Sequence, residues 1–465
     1  MFALALALAL PACSLGPAYR RPNIPPPQAW RTPAGAAAVP AAPTWPSADW
    51  WRDFHSPELE RLIAAGRRAN DDLAAAIARV RQADAEVRVA AAPLLPSLDA
   101  SAAGSRQRTI SPLGNGALLY NQFTAELSAA YELDFWGKDR AARSAARATA
   151  AASRYDRETI ELSVMASIAD TYFTVLALRD RLRIARENLA SAQDILHGLE
   201  TDESAGTTTA LDVAQQATVV ATLASAIPPL AQQERQATDA LAILIGAAPQ
   251  SFEVAATTLA GVSAPPLGAG LPSELLTRRP DVARAEAQLI AANADIQAAR
   301  AAFLPSIALT AAGGLESRDL ATLFEPGSRI FALSAGLTQP IFHGGALLGQ
   351  YRLTKARYDE LLADYHKAVI SAFGNVEDAL AAVRDTREQL AREQNAADKA
   401  RSAYELSQEQ FHAGTVNILT VLNTETALFT AEDALAQVRL AHLQALVGLF
   451  SALGGGWQRS GREDE

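Results

Sequence analysis

The sequence predicts a mainly α-helical chain, built as a duplicated protomer, that contributes four β-strands to a membrane β-barrel completed by other copies. Three observations carry this. One pattern occurs twice about 208 residues apart, far beyond a solenoid period, and so marks a duplicated half-protein. Leu95-Pro96-Ser97-Leu98 returns as Leu304-Pro305-Ser306-Ile307, Phe135-Trp136-Gly137 as Phe342-His343-Gly344, Ala205-Gly206-Thr207 as Ala413-Gly414-Thr415, and Gly246 as Gly454. Each copy also holds two alternating segments of about 10 residues, the length that crosses a bilayer as a tilted strand. A helical pattern of about 60 to 65 residues follows them in each copy, equivalent to about 90 to 100 Å of helix, which no single globular domain needs.

The elements follow in order. Met1 to Leu10 is an apolar run too short to span a membrane, and with Pro11-Ala12-Cys13 it reads as a signal segment, 1–12, ending in a lipobox. Acyl chains on Cys13 would tether the N-terminus to a membrane leaflet. Residues 13–48, with Pro22, Pro25, Pro26, Pro27, Pro33, Pro40, Pro43 and Pro46, read as an extended tether. Trp30, Trp45, Trp50 and Trp51 lie in or near it and are expected to pack on the helices rather than to cage a ligand.

The first repeat, 49–248, opens with helical pattern near Pro57, a break expected at Gly66, and a helix from Asn70 as N-cap to about Ala92 before Pro93. Strands are expected at about 97–106 and 122–133; in the second, Phe123, Ala125, Leu127, Ala129, Tyr131 and Leu133 alternate with Thr124, Glu126, Ser128, Ala130 and Glu132. A helical hairpin at about 138–246 follows, in which Pro228-Pro229 predicts a kink or break. Residues 249–272, rich in Ala, Gly and Pro, form an irregular connector. The second repeat, 273–465, repeats the plan with strands at about 306–316 and 330–341, a hairpin at about 346–453, and a tail. The shorter helical runs add up in length to match the long ones, so each long rod should lie beside a pseudo-continuous rod of two pieces.

Composition supports rods over a thick core. Apolar residues make up 49% of 465, only 20% are charged and 6% aromatic, and the excess is Ala and Leu. A net charge of −10 with no basic stripe argues against nucleic acid as a partner. The single cysteine excludes an intramolecular disulfide framework.

Four strands of this length cannot close a barrel, and hydrocarbon tolerates no open strand edge. Two chains would give eight strands and a filled interior, whereas three give twelve and leave a lumen that the polar faces would line.

Cys13-Ser14-Leu15-Gly16-Pro17-Ala18-Tyr19 before Pro22, Tyr131-Glu132-Leu133-Asp134-Phe135-Trp136-Gly137-Lys138, Arg278-Arg279-Pro280-Asp281-Val282, Ala299 to Ile307, and Pro340 to Gly345 together resemble the TolC-like outer-membrane factors. The likeness covers nearly the whole chain and is to the lipoprotein components of resistance-nodulation-division efflux systems. It implies a homotrimer with a twelve-stranded barrel in the outer membrane and a long α-helical barrel reaching through the periplasm. It also implies two partners, a periplasmic adaptor and an inner-membrane resistance-nodulation-division pump, and a passive exit duct rather than an enzyme.

On that resemblance the turns at Ala205, Gly206, Thr207 and at Ala413, Gly414, Thr415 are the hairpin tips that dock the adaptor; glycine there also has the local role of a left-handed helix end. Leu211, Asp212, Leu419, Leu422, Asn423 and Thr426 occupy the positions of the periplasmic gate. Relatives often carry an aspartate at Asn423 and an arginine at Thr426, so this chain is expected to hold its gate by packing of Leu419 and neutral hydrogen bonds, each about half as strong as a charge-assisted one. Asp212 is equally well explained as a helix N-terminal acid.

The six histidines are scattered with no metal-binding spacing, no phosphate loop or nucleophile elbow occurs, and no cofactor is expected. Two rivals remain: a type I secretion duct for proteins, against which the lipobox and Arg279-Pro280-Asp281 weigh, and a trimeric spacer or adhesin, which has no use for the strands.

Overall fold

The computed structural model describes residues 19–31, 45–110, 116–265 and 272–459. The signal segment and Cys13 lie outside the described residues, as do residues 32–44 of the tether. In chain order the elements are α1 (Pro57–Ala69), α2 (Asp71–Ala91), β1 (Ser97–Ile110), β2 (Ala117–Glu132), α3 (Lys138–Ser204) and α4 (Ala210–Leu244). The second copy supplies α5 (Pro272–Arg278), α6 (Pro280–Ala301), β3 (Ser306–Ser317), β4 (Arg329–Thr338), α7 (Ala346–His412) and α8 (Ile418–Ala452). The duplication is close: α3 and α7 are each 67 residues long, and α4 and α8 are each 35.

The chain divides into two compact units. One comprises the described residues within 1–23, 79–154 and 284–366 and contains the sheet. Its four strands run antiparallel in the order β1-β2-β3-β4, so β1 and β4 are unpaired at their outer edges. The register aligns Leu98, Ala129, Ala311 and Leu333 on one face, and Ala100, Leu127, Gly313 and Phe331 beside them. The opposite face carries Asp99, Ser128 and Ala312, then Ser101, Glu126 and Gly314. Alternation therefore sorts side chains as the sequence pattern requires. Gly314 is needed for close approach, since a Cβ there would lie 2.2 Å from the Ala125 carbonyl oxygen. Asp134 starts α3 by accepting the amides of Asp139 and Arg140, both at 3.0 Å. Desolvation pushes its carboxyl up, but these bonds and the Arg140 guanidinium prevail and hold it below the usual range.

The other unit comprises the described residues within 24–78, 155–283 and 367–465 and contains the main core. Trp50 stacks on Phe450 at 4.9 Å, Phe54 tilts onto Phe173 at 5.1 Å, and Leu59, Ile63, Ile168, Leu176, Leu241 and Val447 fill between them. Trp30 meets Phe373, Trp45 meets Arg278 and Glu274, and Trp51 lies under Arg67, so the tryptophans pack separately. The α4 end abuts the α1–α2 junction, where Asn70 Nδ2 donates to the Leu244 carbonyl at 2.9 Å. In the second copy Arg279 Nη1 reaches the Ala452 carbonyl at the same distance, at the head of α6. At each junction, then, the end of one helix meets the start of another.

Three expectations need correction. The helix does not break at Gly66: α1 runs through it, because the missing Cβ lets Ile168 approach, and a methyl there would lie 2.3 Å from its Cδ1. The interruption falls at Asn70, which ends α1 and whose Oδ1 caps α2 through the Leu73 amide at 3.0 Å. Pro228 and Pro229, where the sequence predicts a kink or a break, do not break α4; both are exposed, as are Ala224 and Ser225, whose carbonyls lose their i+4 donors to them. Finally β2 begins at Ala117 and β4 ends at Thr338, earlier in each case than the alternation suggested.

The connector is irregular but well anchored. Glu58 accepts the amides of Ala255 and Ala256 at 2.7 and 2.9 Å, Arg179 Nη1 donates to the carbonyls of Val254 and Ala256 at 2.7 Å, and Asp180 accepts the Leu259 amide at 2.9 Å. Loop amides and carbonyls thus find partners on α1 and α3.

Candidate functional site

The two hairpin ends are built by the same local code. After α3, Gly206 takes φ 77°, and the Thr207 amide and hydroxyl both donate to the Asp202 carbonyl at 2.9 Å. After α7, Gly414 takes φ 69°, and the Thr415 amide and hydroxyl donate to the Gln410 carbonyl at 2.9 and 3.0 Å. Nothing lies within 4 Å of a Cβ built on either glycine, so conformation alone selects the residue. Ala205, Gly206, Thr207, Ala413, Gly414 and Thr415 are all exposed.

Each following helix starts on a side-chain cap. Thr209 and Asp212 form a reciprocal capping box, with Thr209 Oγ1 donating to Asp212 Oδ2 at 2.6 Å and the Asp212 amide reaching Thr209 Oγ1 at 3.3 Å. Those bonds, the Thr209 hydroxyl foremost, hold the Asp212 carboxyl below its ordinary range. Asn417 caps α8 through the Thr420 amide.

Leu211 and Leu419, the second residues of α4 and α8, are 64% and 45% exposed. Leu422 instead is buried with Leu199, Ile418 and Val421. Asn423 and Thr426 are exposed, and the Thr426 hydroxyl turns back to the Leu422 carbonyl at 2.9 Å. Within one chain the gate residues therefore form no latch with one another, and apart from the Asp212 carboxylate, which is held in the α4 cap, the side chains left outward are neutral or apolar. A cleft of about 360 Å³ opens between the ends of α3 and α7, lined in part by Asp194, Leu199, Asp202, Phe411 and His412.

A buried polar group beside these residues is not singled out by the sequence motifs. Glu425 is only 2% exposed and Gln216 fully buried. Gln216 Nε2 donates to the Ala192 carbonyl at 2.8 Å, and among the described residues neither Glu425 carboxylate oxygen has a hydrogen-bond partner. Desolvation pushes the Glu425 carboxyl up to about 7, an effect the nearby Gln216 amide offsets only in part. Tyr404 is close by, its hydroxyl shared with Ser191 at 2.8 Å and bonded by Gln408 Nε2 at 2.7 Å, and burial raises it as well. The signal was present in the spacing: Val421, Leu422, Glu425 and Leu428 form one helical stripe with an acid in it.

A family profile described as outer membrane efflux protein matches residues 62–247 and 271–455. The chain belongs to that family. The pyoverdine export outer membrane protein OpmQ of Pseudomonas aeruginosa is 42% identical over 460 residues, covering 97% of this chain and 95% of the relative. The toluene efflux pump outer membrane protein TtgF of Pseudomonas putida is 34% identical over 464 residues, covering 98% and 96%. Among solved structures, the outer-membrane channel OprN superposes with a TM-score of 0.90 at 27% identity, covering 96% of this chain and all of that one. The CmeC outer membrane channel of Campylobacter jejuni gives 0.91 at 27% identity and 97% coverage of each chain. This outer membrane efflux protein thus has the TolC-like channel fold and is the outer-membrane channel component of an efflux pump, which sets aside the spacer reading and favours efflux over type I secretion.

Proposed function

We propose that three copies of this chain close their sheets into a twelve-stranded barrel, with the polar faces around a water-filled passage and the hairpin tips gathered at its periplasmic end. The observation that carries this is the sheet: two unpaired edges, and one apolar face on which Leu98, Phe331, Leu333 and Leu337 are 66 to 84% exposed. Unpaired backbone amides in hydrocarbon cost several kcal/mol each, so the edges demand partners, and three copies are the fewest that leave a lumen, since the eight strands of two would close on a filled interior. The most apolar stretch of α4 supports assembly too, being only 11% buried within one chain.

In this reading the exposed tips dock a periplasmic adaptor, which couples the duct to an inner-membrane resistance-nodulation-division pump, and acyl chains on Cys13 add a lipid anchor. The duct performs no chemistry. Relatives are named for cargoes as different as pyoverdine and toluene, so selection is assigned to the pump. Purified protein in planar bilayers is expected to be trimeric by native mass and to conduct ions. A monomer that does not conduct would overturn the proposal.

A further inference from the structure

The strand register segregates charge between the two sheet faces. On the face of Leu98, Leu127, Ala311 and Leu333 the charged strand residues are Arg106, Arg108 and Arg329, all basic. On the opposite face they are Asp99, Glu126, Glu132 and Glu316, all acidic. The arginines are also confined to one end, away from the helices. Arg106 lies eight residues beyond Leu98 on β1, and Arg329 eight residues beyond Leu337 on β4.

Eight residues advance about 27 Å along a strand, or roughly 20 Å of depth at a tilt near 40°, close to the height of the apolar band of an outer-membrane barrel. The cations would therefore emerge at the outer headgroup level, where an arginine facing lipid costs about 0 to 1 kcal/mol instead of about 2 to 4 at the midplane. All three are exposed, and among the described residues none is in an ion pair. Arg318 is different: it lies over the Tyr120 ring, and Tyr120 belongs to the acidic face.

β1 and β4 are the edge strands. If the barrel closes as proposed above, on which this inference rests, β4 of one copy lies beside β1 of the next. Each seam then gathers Arg329 of one copy with Arg106 and Arg108 of its neighbour, next to Asn121, the register partner of Arg106. We propose that these seams form a lipid-facing collar that binds a multiply phosphorylated glycolipid of the outer leaflet. Guanidinium groups bond phosphate oxygens in bidentate pairs, and three of them at one seam match a headgroup bearing more than one phosphate better than a single phosphodiester.

The test is native mass spectrometry of the full-length protein with diphosphoryl lipid A, its dephosphorylated form, or phosphatidylglycerol. Wild type is expected to retain the diphosphorylated lipid at least about tenfold better than either alternative, and an R106Q/R108Q/R329Q variant to lose that preference while Arg318→Gln keeps it. Equal retention of the dephosphorylated lipid by wild type, or unchanged preference in the triple variant, would overturn the collar. Equal retention of phosphatidylglycerol would overturn the assignment to a multiply phosphorylated headgroup. Mass and conductance of the same sample separate the two readings: a conducting trimer without lipid preference refutes only the collar, and a non-conducting monomer refutes the duct.

Discussion

Glu425 occupies a position where the spacing of Val421, Leu422 and Leu428 would accommodate a leucine, and its burial without a counter-cation raises its carboxyl from 4.5 to about 7. The folded chain thus holds this proton more tightly than the unfolded one. Its contribution favours the fold most below about 4.5, declines as pH rises toward about 7, and is level above that. Glu425→Gln should flatten this dependence and raise stability at pH 8 by up to about 3 kcal/mol. Thermal unfolding of the detergent-solubilised protein followed by circular dichroism from pH 4.5 to 8 checks it; the same slope in both proteins would refute the role. At the tip, Gly414→Pro forces φ away from 69° and removes the amide that donates to Phe411 at 2.9 Å. Export should fall severalfold in a substrate accumulation assay while trimer mass is retained, and unchanged export would count against docking at this turn.

Among the elements, glycines of equal φ serve different needs. Gly206 and Gly246 have φ 77° and 70°, yet only at Gly246 would a Cβ strike backbone, 2.2 Å from the Ala69 carbonyl oxygen. Gly206→Ala should therefore lose about 1 kcal/mol, the strain of a left-handed residue, whereas Gly246→Ala should lose more than about 2 kcal/mol by displacing the α4 end from the α1–α2 junction. Equal melting temperatures for the two variants would show that the junction yields. The hairpins themselves were legible: α3 begins at Lys138 and α7 at Ala346, as the proline-free runs indicated. Neither Gly66 nor Pro228-Pro229 ends its helix, for opposite reasons. A helix tolerates glycine when a neighbour occupies the freed space, and tolerates proline when the orphaned carbonyls face outward.

For the whole molecule, the outward side chains of the gate positions Leu211, Leu419, Asn423 and Thr426 are uncharged, and the one charged gate residue, Asp212, is engaged by its own helix cap at Thr209. Single-channel conductance of the purified protein, corrected for bulk conductivity, should show a closed state that changes less than about twofold between 0.05 and 1 M salt, since screening acts on charges and leaves apolar packing and neutral hydrogen bonds in place. Steep opening with salt would mean that charges outside these positions hold the gate.

The amino-acid sequence by itself determined the duplication, the four strands, the long hairpins and the turns at Gly206 and Gly414, because each rests on local periodicity or on a backbone conformation that one residue type supplies. Only the tertiary structure decided where α1 ends, which helix starts the ends of α4 and α8 meet, and that Glu425 and Gln216 are buried together. It also placed Arg106, Arg108 and Arg329 on one face, because strand register and helix contact join residues far apart in the chain.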